Sequence, residues 1–409
     1  MRERKETPIG FIPNDWELGK FSEDLRIQGR IGWKGYKTTD LVDEGPIVIG
    51  GTEIKSSIFL RLDNVSHLSR NKFVESPEIM LKEGDVLLVT RGNLGEVGYY
   101  HEHYGEGTIN PSVIILNEFI GNPKFLFYYL ISKNGNHQVL SLTSGSSIPA
   151  IYQSEVKQMR YPRPSLSEQN NIVNLLFSID KKITLLRQQN ATLEELAQLL
   201  FKRWFVDGAK KEWELKELSE ITDVGIGRTP PRKDPQWFST LEDDVKWISI
   251  KDMGNDGVFL FETSEYLTRK AIEKFNIPVI PKNTVILSFK MTLGRIGITS
   301  EDMLSNEAIA HFKFTDETPI TKEYLYLYLK NYRFENLGST SSIVTSINSS
   351  MIKSMKIHVP DKKTMTEFQD VSENIFNKIR INQKEIQTLT QLRDTLLPKL
   401  MSGEVRVKK

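Results

Sequence analysis

LKEGDVLLVTRGNLGEVGYY (81–100) and IPKNTVILSFKMTLGRIGIT (280–299) follow one plan: a short β-branched run, a basic residue, a loop closed by glycine, then a second short run. The correspondence extends outward in both directions. NDWELGKFSED (14–24) matches KEWELKELSEI (211–221), and NPKFLFYYLIS (122–132) matches TKEYLYLYLKN (321–331). SSIPAIYQSEVKQMRYPRP (146–164) matches SSIVTSINSSMIKSMKIHVP (341–360). The blocks keep their order, and a period of about half the chain marks duplicated domains rather than a solenoid of short units.

Each repeat has two parts. In the first, GDVLLVT, PSVIILN, VKWISI and NTVILSF are strand-like runs bounded by Gly, Asn, Asp and Pro, with one helix expected at FLFYYLIS and at EYLYLYLK. The second part is helical. Ile172, Leu176, Ile179, Ile183, Leu186, Asn190, Leu193, Ala197, Leu200 and Trp204 alternate spacings of four and three, the pattern of a coiled-coil seam. A shift of 196 residues carries this seam onto Phe368, Ser372, Ile375, Ile379, Asn382, Ile386, Leu389, Arg393, Leu396 and Leu400. Ser165-x-x-Glu168 and Thr364-x-x-Glu367 read as capping boxes at the two helix starts; Gly208 should stop the first helix and Pro398 should end or kink the second.

The expected fold is therefore α+β: strand-rich domains at 1–164 and 209–362, long helices at 165–208 and 363–401, and a tail at 402–409. With the halves related by a pseudo-two-fold axis, the helices form an antiparallel coiled coil. Ile172 then meets Leu400, and Asn190 falls opposite Asn382. Ile183 pairs with Leu389, Leu186 with Ile386, Leu193 with Ile379 and Trp204 with Phe368. Arg393, opposite Ile179, is expected to snorkel outward.

A chain of 409 residues exceeds one compact core, and 39% hydrophobic with 26% charged residues leaves no stretch poor enough in apolar residues for long disorder. The absence of cysteine excludes disulfides, thiolate metal sites and a cysteine nucleophile. No apolar run reaches membrane-spanning length, since 111–131 is broken by Asn117, Glu118, Gly121 and Pro123, so a cytoplasmic, non-membrane protein is expected. A net charge of +1 does not announce nucleic acid, which makes local clustering of basic residues the informative quantity.

The order of domains and helices resembles the specificity subunit of type I restriction-modification systems. The resemblance is carried by RIGWKGY (30–36), GDVLLVTRGNLGEVG (84–98), VGIGRTPPRKD (224–234) and TLEELAQLLFKRWFVDG (192–208). It implies a non-catalytic protein without a cofactor of its own. Each variable domain would read one half of a split site in double-stranded DNA. The helices would fix the half-site separation and dock two methyltransferase subunits, with restriction-translocase subunits joining the complex.

Residues 25–39 carry Arg26, Arg30, Lys34 and Lys37 without an acid, among Trp33, Tyr36, Gly32 and Gly35. Such a loop can neutralise phosphates and read guanine edges; the alternative is a solvated loop with Trp33 in the core. Its counterpart holds Arg228, Thr229, Arg232 and Lys233 among glycines and prolines. Arg91 with Asn93, and Lys290 with Thr292 and Arg295, flank loops whose Gly95 and Gly294 suit a turn of positive φ. Ser146, Ser147, Ser341 and Ser342 are hydroxyl candidates that equally suit caps and turns.

No Walker A loop, GxGxxG or Asp/Asn-Pro-Pro-aromatic motif is present. Asp244-x-Lys246 reads as a strand-edge charge pair, and His101-x-His103 as part of an exposed turn rather than a metal site. Two rival functions stay open at this stage: a coiled-coil adaptor that binds only proteins, and a nuclease or methyltransferase with an unrecognised motif.

Overall fold

The computed structural model describes residues 3–30, 32, 35–143, 149–254, 257–337 and 347–407. The chain forms two units, Met1–Ile183 with Leu389–Lys409, and Thr184–Thr388, so the division falls inside each long helix.

In the first unit β1 (Glu17–Lys20) enters the domain, followed by β2 (Arg26–Gly29), β3 (Leu41–Ile49), β4 (Val86–Val89), β5 (Val97–Tyr99), β6 (Gly107–Ile109) and β7 (Val113–Asn117). Helix α1 (Pro123–Ile131) and β8 (Arg160–Arg163) complete it before helix α2 (Leu166–Phe201). An antiparallel sheet runs β2-β7-β4-β5, β3 pairs in parallel with β6, and β1 pairs with β8.

The uninterrupted apolar run of β4 follows from burial on both faces, with side chains alternating by the strand period of two. Val86 and Leu88 enter a core shared with Phe125, Leu126, Ile172, Leu176, Leu397 and Leu400. Leu87 and Val89 face Ile47, Ile49 and Ile109. Asn122 caps α1 by accepting from the Lys124 N–H at 2.9 Å, with Pro123 at the first helical position.

The second unit repeats this scheme with β9 (Glu214–Glu217), β10 (Asp223–Ile226), β11 (Val245–Ile248), helix α3 (Arg269–Phe275), β12 (Val285–Ser288), β13 (Ile296–Thr299) and β14 (Ile309–Lys313). Helix α4 (Lys322–Asn331), β15 (Lys356–Val359) and helix α5 (Lys362–Met401) follow. The sheet order β10-β14-β12-β13 reproduces β2-β7-β4-β5, and β9 pairs with β15 as β1 does with β8. Val285 and Leu287 face α4 and the long helices, whereas Ile286 turns to Ile248, Ile280 and Ile309.

Within each unit the long helices run antiparallel. In the first, Arg393 Nη1 donates to Asp180 Oδ1 at 2.9 Å, while Ile172 near one helix start shares a core with Leu400 near the other helix end. In the second, Asn382 Nδ2 donates to Asn190 Oδ1 at 2.9 Å and Trp204 lies 6.0 Å from Phe368. Ile183, Leu186 and Ile379 are buried, and Leu193, Ile386 and Leu389 are half-buried.

Three details differ from the sequence expectation. Arg393 turns inward instead of snorkelling, because buried Asp180, also held by the Tyr128 hydroxyl at 2.7 Å, offers it a carboxylate. The cap of α5 is Asp361 rather than Thr364: its carboxylate accepts from the Thr364 N–H at 3.0 Å and from Trp213 Nε1 at 3.3 Å. In the first half Glu168 does not close a reciprocal box; its N–H reaches Ser165 Oγ at 3.4 Å while its carboxylate accepts from Trp16 Nε1 at 2.9 Å and pairs with Arg406. Helix α5 reaches Met401 with Pro398 inside its last turn. Burial of Leu397, Leu400 and Met401, worth roughly 1.5–3 kcal/mol per side chain, outweighs the roughly 3 kcal/mol cost of an interior proline. The first helix does end near Gly208, after a wider turn at Lys202–Val206.

Candidate nucleic-acid interface

Strand pairing gathers the basic loops at one end of each sheet. In the first unit Gly29 of β2 pairs with Ile114 of β7, and Val89 of β4 pairs with Val113. The loop after β2, the loop after β4 and the turn before β7 therefore leave the sheet together. The Thr90 N–H donates to Ser112 O at 2.7 Å, Ile151 N–H to Thr90 O at 3.1 Å, and Asn93 Nδ2 to Gly51 O at 3.2 Å, which ties in the loop after β3.

The second unit repeats the cluster. Ile226 pairs with Ala310 and Ser288 with Ile309, while Arg228 N–H donates to Ser305 O at 2.8 Å and Phe289 N–H to Ala308 O at 2.9 Å. Gly95 and Gly294 hold φ of 81° and 85°, the left-handed backbone these turns require.

Within this frame the charged residues divide into two groups. The first group is engaged by the protein itself. Arg30 donates to Ile109 O and to Thr108 Oγ1, both at 2.9 Å, and lies over the Tyr36 ring; burial pushes its pKa below the ordinary guanidinium value. Arg228 donates to Phe275 O at 2.7 Å and Asn276 O at 3.1 Å at the end of α3, where unsatisfied carbonyls favour a cation. Arg232 makes a two-pronged pair with Glu265, at 2.6 and 2.9 Å, and stacks over Phe238 and Trp247. Arg295 reaches Ile250 O at 2.7 Å, and Thr229 bonds Glu307. These four arginines are each bonded to other parts of the protein and brace the loops that carry them.

The second group faces solvent: Lys37, Arg91, Lys233 and Lys290 are exposed and lack an ion pair among the described residues. Thr292 is also exposed, and its carbonyl accepts from Ser288 Oγ at 2.5 Å. Trp33, Lys34, Ser146, Ser147, Ser341 and Ser342 lie outside the described residues.

Several loop-shaping residues escaped the sequence reading. Asn110 Oδ1 accepts from the Ser112 N–H at 2.9 Å, and Asn306 Oδ1 from the Ala308 N–H at 3.0 Å. Glu53 accepts from the Gly50 N–H at 2.7 Å, and Asp252 from the Ser249 N–H at 2.8 Å. Lys251 adds an exposed cation beside Asp252. The available signal was repetition: Asn110 and Asn306 obey the same 196-residue shift as the helices.

Two other expectations resolve. Lys246 pairs with Glu301 at 2.7 Å rather than with Asp244. His101 is buried rather than on an exposed turn: it is stacked on Phe59 with Nε2 3.1 Å from Ile58 O, and burial lowers its pKa.

Fold and loops together define a duplicated β-domain that presents basic loops from the end of a sheet and is carried on long paired helices. The family described as Type I restriction modification DNA specificity domain matches residues 33–195 and again 210–391, and the chain belongs to that family. It is similar to the MjaIX specificity subunit of Methanocaldococcus jannaschii, with 24% identity over 99% of this chain and 97% of that one. It also resembles the HindI specificity subunit of Haemophilus influenzae, at 25% identity over 96% and 100% of the two chains. The crystal structure of a type I restriction-modification S subunit from M. genitalium shares the fold at 15% identity, with a TM-score of 0.58 over 97% of this chain and 99% of that one.

Proposed function

We propose that the chain reads a bipartite site in double-stranded DNA, one half-site per unit, and brings that site to methyltransferase subunits and restriction-translocase subunits. The chain supplies recognition, and its partners supply chemistry. The observation that carries this reading is the repetition of the loop cluster: the same sheet end bears exposed Lys37 and Arg91 in one unit and Lys233, Lys251 and Lys290 in the other. Exposed cations on loops engage phosphates, while neighbouring polar and apolar groups discriminate base edges.

A second duplicated feature fits two copies of one protein partner. Leu185 and Leu196 on α2 are exposed, and so are Ile381 and Leu392, which the 196-residue shift places at the same positions on α5. Eleven residues span three helical turns, so each pair shares one face, away from the buried seam. Large apolar residues repeated on an outer helix face suit docking by a methyltransferase subunit. Among the described residues no helix is long and apolar enough to cross a membrane.

The test is a domain exchange. Replacing residues 211–360 with the matching segment of a relative, then sequencing methylated sites in cells expressing the whole complex, should change one half of the methylated motif. Alteration of both halves would defeat independent reading.

A further inference from the structure

The loop after β12 ends in an unusual residue. Met291 is 96% exposed and holds φ at +61°, a left-handed backbone that side-chain-bearing residues adopt at a cost. Its counterpart in the first unit is Gly92, at φ +79° with open space where a side chain would stand. Glycine thus satisfies this turn without penalty, and the second unit instead carries a long apolar side chain projecting into water.

The stem beneath Met291 is firmly braced. Gly294 N–H donates to Ser288 O at 3.0 Å, Arg295 N–H to Ser288 Oγ at 3.0 Å, and Ser288 Oγ to the Thr292 carbonyl at 2.5 Å. Arg295 anchors the loop's far side to Ile250 O. The tip is therefore presented by hydrogen-bonded backbone, with exposed Lys290 on one side and partly exposed Leu293 on the other. A braced apolar tip next to a cation matches a nucleic-acid contact in which the cation holds phosphate and the apolar group touches a base.

We propose that Met291 is a specificity-determining residue of the second unit, making an apolar contact to a base of the half-site that this unit reads. The proposal rests on the DNA-reading function above and adds to it an asymmetry: the first unit, with Gly92, makes no such contact. An unbranched thioether adapts to either of two base surfaces, a thymine methyl in the groove or the face of a partly unstacked base.

The assembled complex is compared with Met291→Gly, Met291→Gln and Met291→Leu forms, using a duplex carrying the complete methylated motif and a scrambled duplex of equal length. Met291→Gly and Met291→Gln should bind the motif about 5- to 100-fold more weakly, the range that follows loss of recognition at one base pair of a site. Binding to the scrambled duplex should stay constant, and Met291→Leu should recover most of the affinity. Glycine relieves the left-handed backbone, so the Met291→Gly form should melt no lower than the parent, which separates weakened recognition from impaired folding. Uracil in place of each thymine of the second half-site identifies a methyl contact by one position whose effect disappears in Met291→Gly. Enhanced 2-aminopurine fluorescence that depends on Met291 identifies an unstacked base instead. Equal motif affinity for the parent, glycine and glutamine forms would overturn the assignment of Met291 alone. Failure of the parent complex to prefer the motif over the scrambled duplex would overturn the DNA-reading function itself.

Discussion

Asn382 Nδ2 donates to Asn190 Oδ1 at 2.9 Å and to the neighbouring Gln189 Oε1 at 2.8 Å, forming a polar layer in the seam of α2 and α5. Buried Leu186 and Ile379 stand one turn away along the two helices. In a register shifted by one turn each amide would face an apolar side chain and lose its partner, so the pair penalises slippage. Asn382→Leu should cost about 1–3 kcal/mol by stranding Asn190, and the Asn190→Leu, Asn382→Leu double variant should regain most of that stability. A double-mutant cycle from urea unfolding measures the coupling; purely additive effects would count against an interacting pair.

The bracing and exposed cations should separate experimentally. Lys233→Ala with Lys290→Ala is expected to lower the slope of log affinity against log salt by roughly one unit for each phosphate no longer neutralised, with little change in stability. Arg232→Ala removes a partly exposed ion pair and a stacking interaction and should cost about 1–2 kcal/mol. Salt titrations and melting curves on the parent and these two variants decide the matter, and an unchanged slope in the lysine variant would assign both lysines to plain solvation.

Leu185→Glu and Ile381→Glu place charge on the outer helix face without touching the seam. Each should leave the stability of the chain within about 0.5 kcal/mol of the parent. Each should also remove one methyltransferase subunit from the complex, and the two changes together both subunits. Light scattering of the reconstituted complex reads the stoichiometry; retention of both methyltransferases by the double variant would rule out this face.

His311 lies fully buried in β14, with Nε2 2.6 Å from Ser305 Oγ beneath the second loop cluster. Burial lowers its pKa to about 3, from an ordinary value of 6.5, with a further push from Lys313. The unfolded chain therefore binds a proton below pH 6.5 that the folded chain refuses until about pH 3. This contribution to stability is complete above the unfolded value and declines as pH falls through that window, at up to about 1.4 kcal/mol per pH unit. Urea midpoints for the parent and His311→Gln at pH 7.5 and pH 5.5 should show the parent weakening more on acidification. An identical response in both proteins would mean that His311 titrates normally.

The duplication, the helical seam and the facing of Asn190 by Asn382 were legible from sequence because they are periodic: a heptad pattern and a constant shift are local properties of the chain. The run of β4 and the turn glycines Gly95 and Gly294 were legible for the same reason. The protein partners of the loop arginines were not. Arg30 is claimed by Ile109 O, Arg228 by the end of α3 and Arg232 by Glu265, partners that lie between 33 and 79 residues away and arrive only when the strands pair. Arg393 turns inward because Asp180 and Tyr128 meet it there, and Asp361 becomes the cap because Trp213 and Lys210 converge on its carboxylate. Periodicity tells a chain which face to bury; whether a charge finds water or a buried acceptor depends on what distant segments bring to it, and only the tertiary structure decides that.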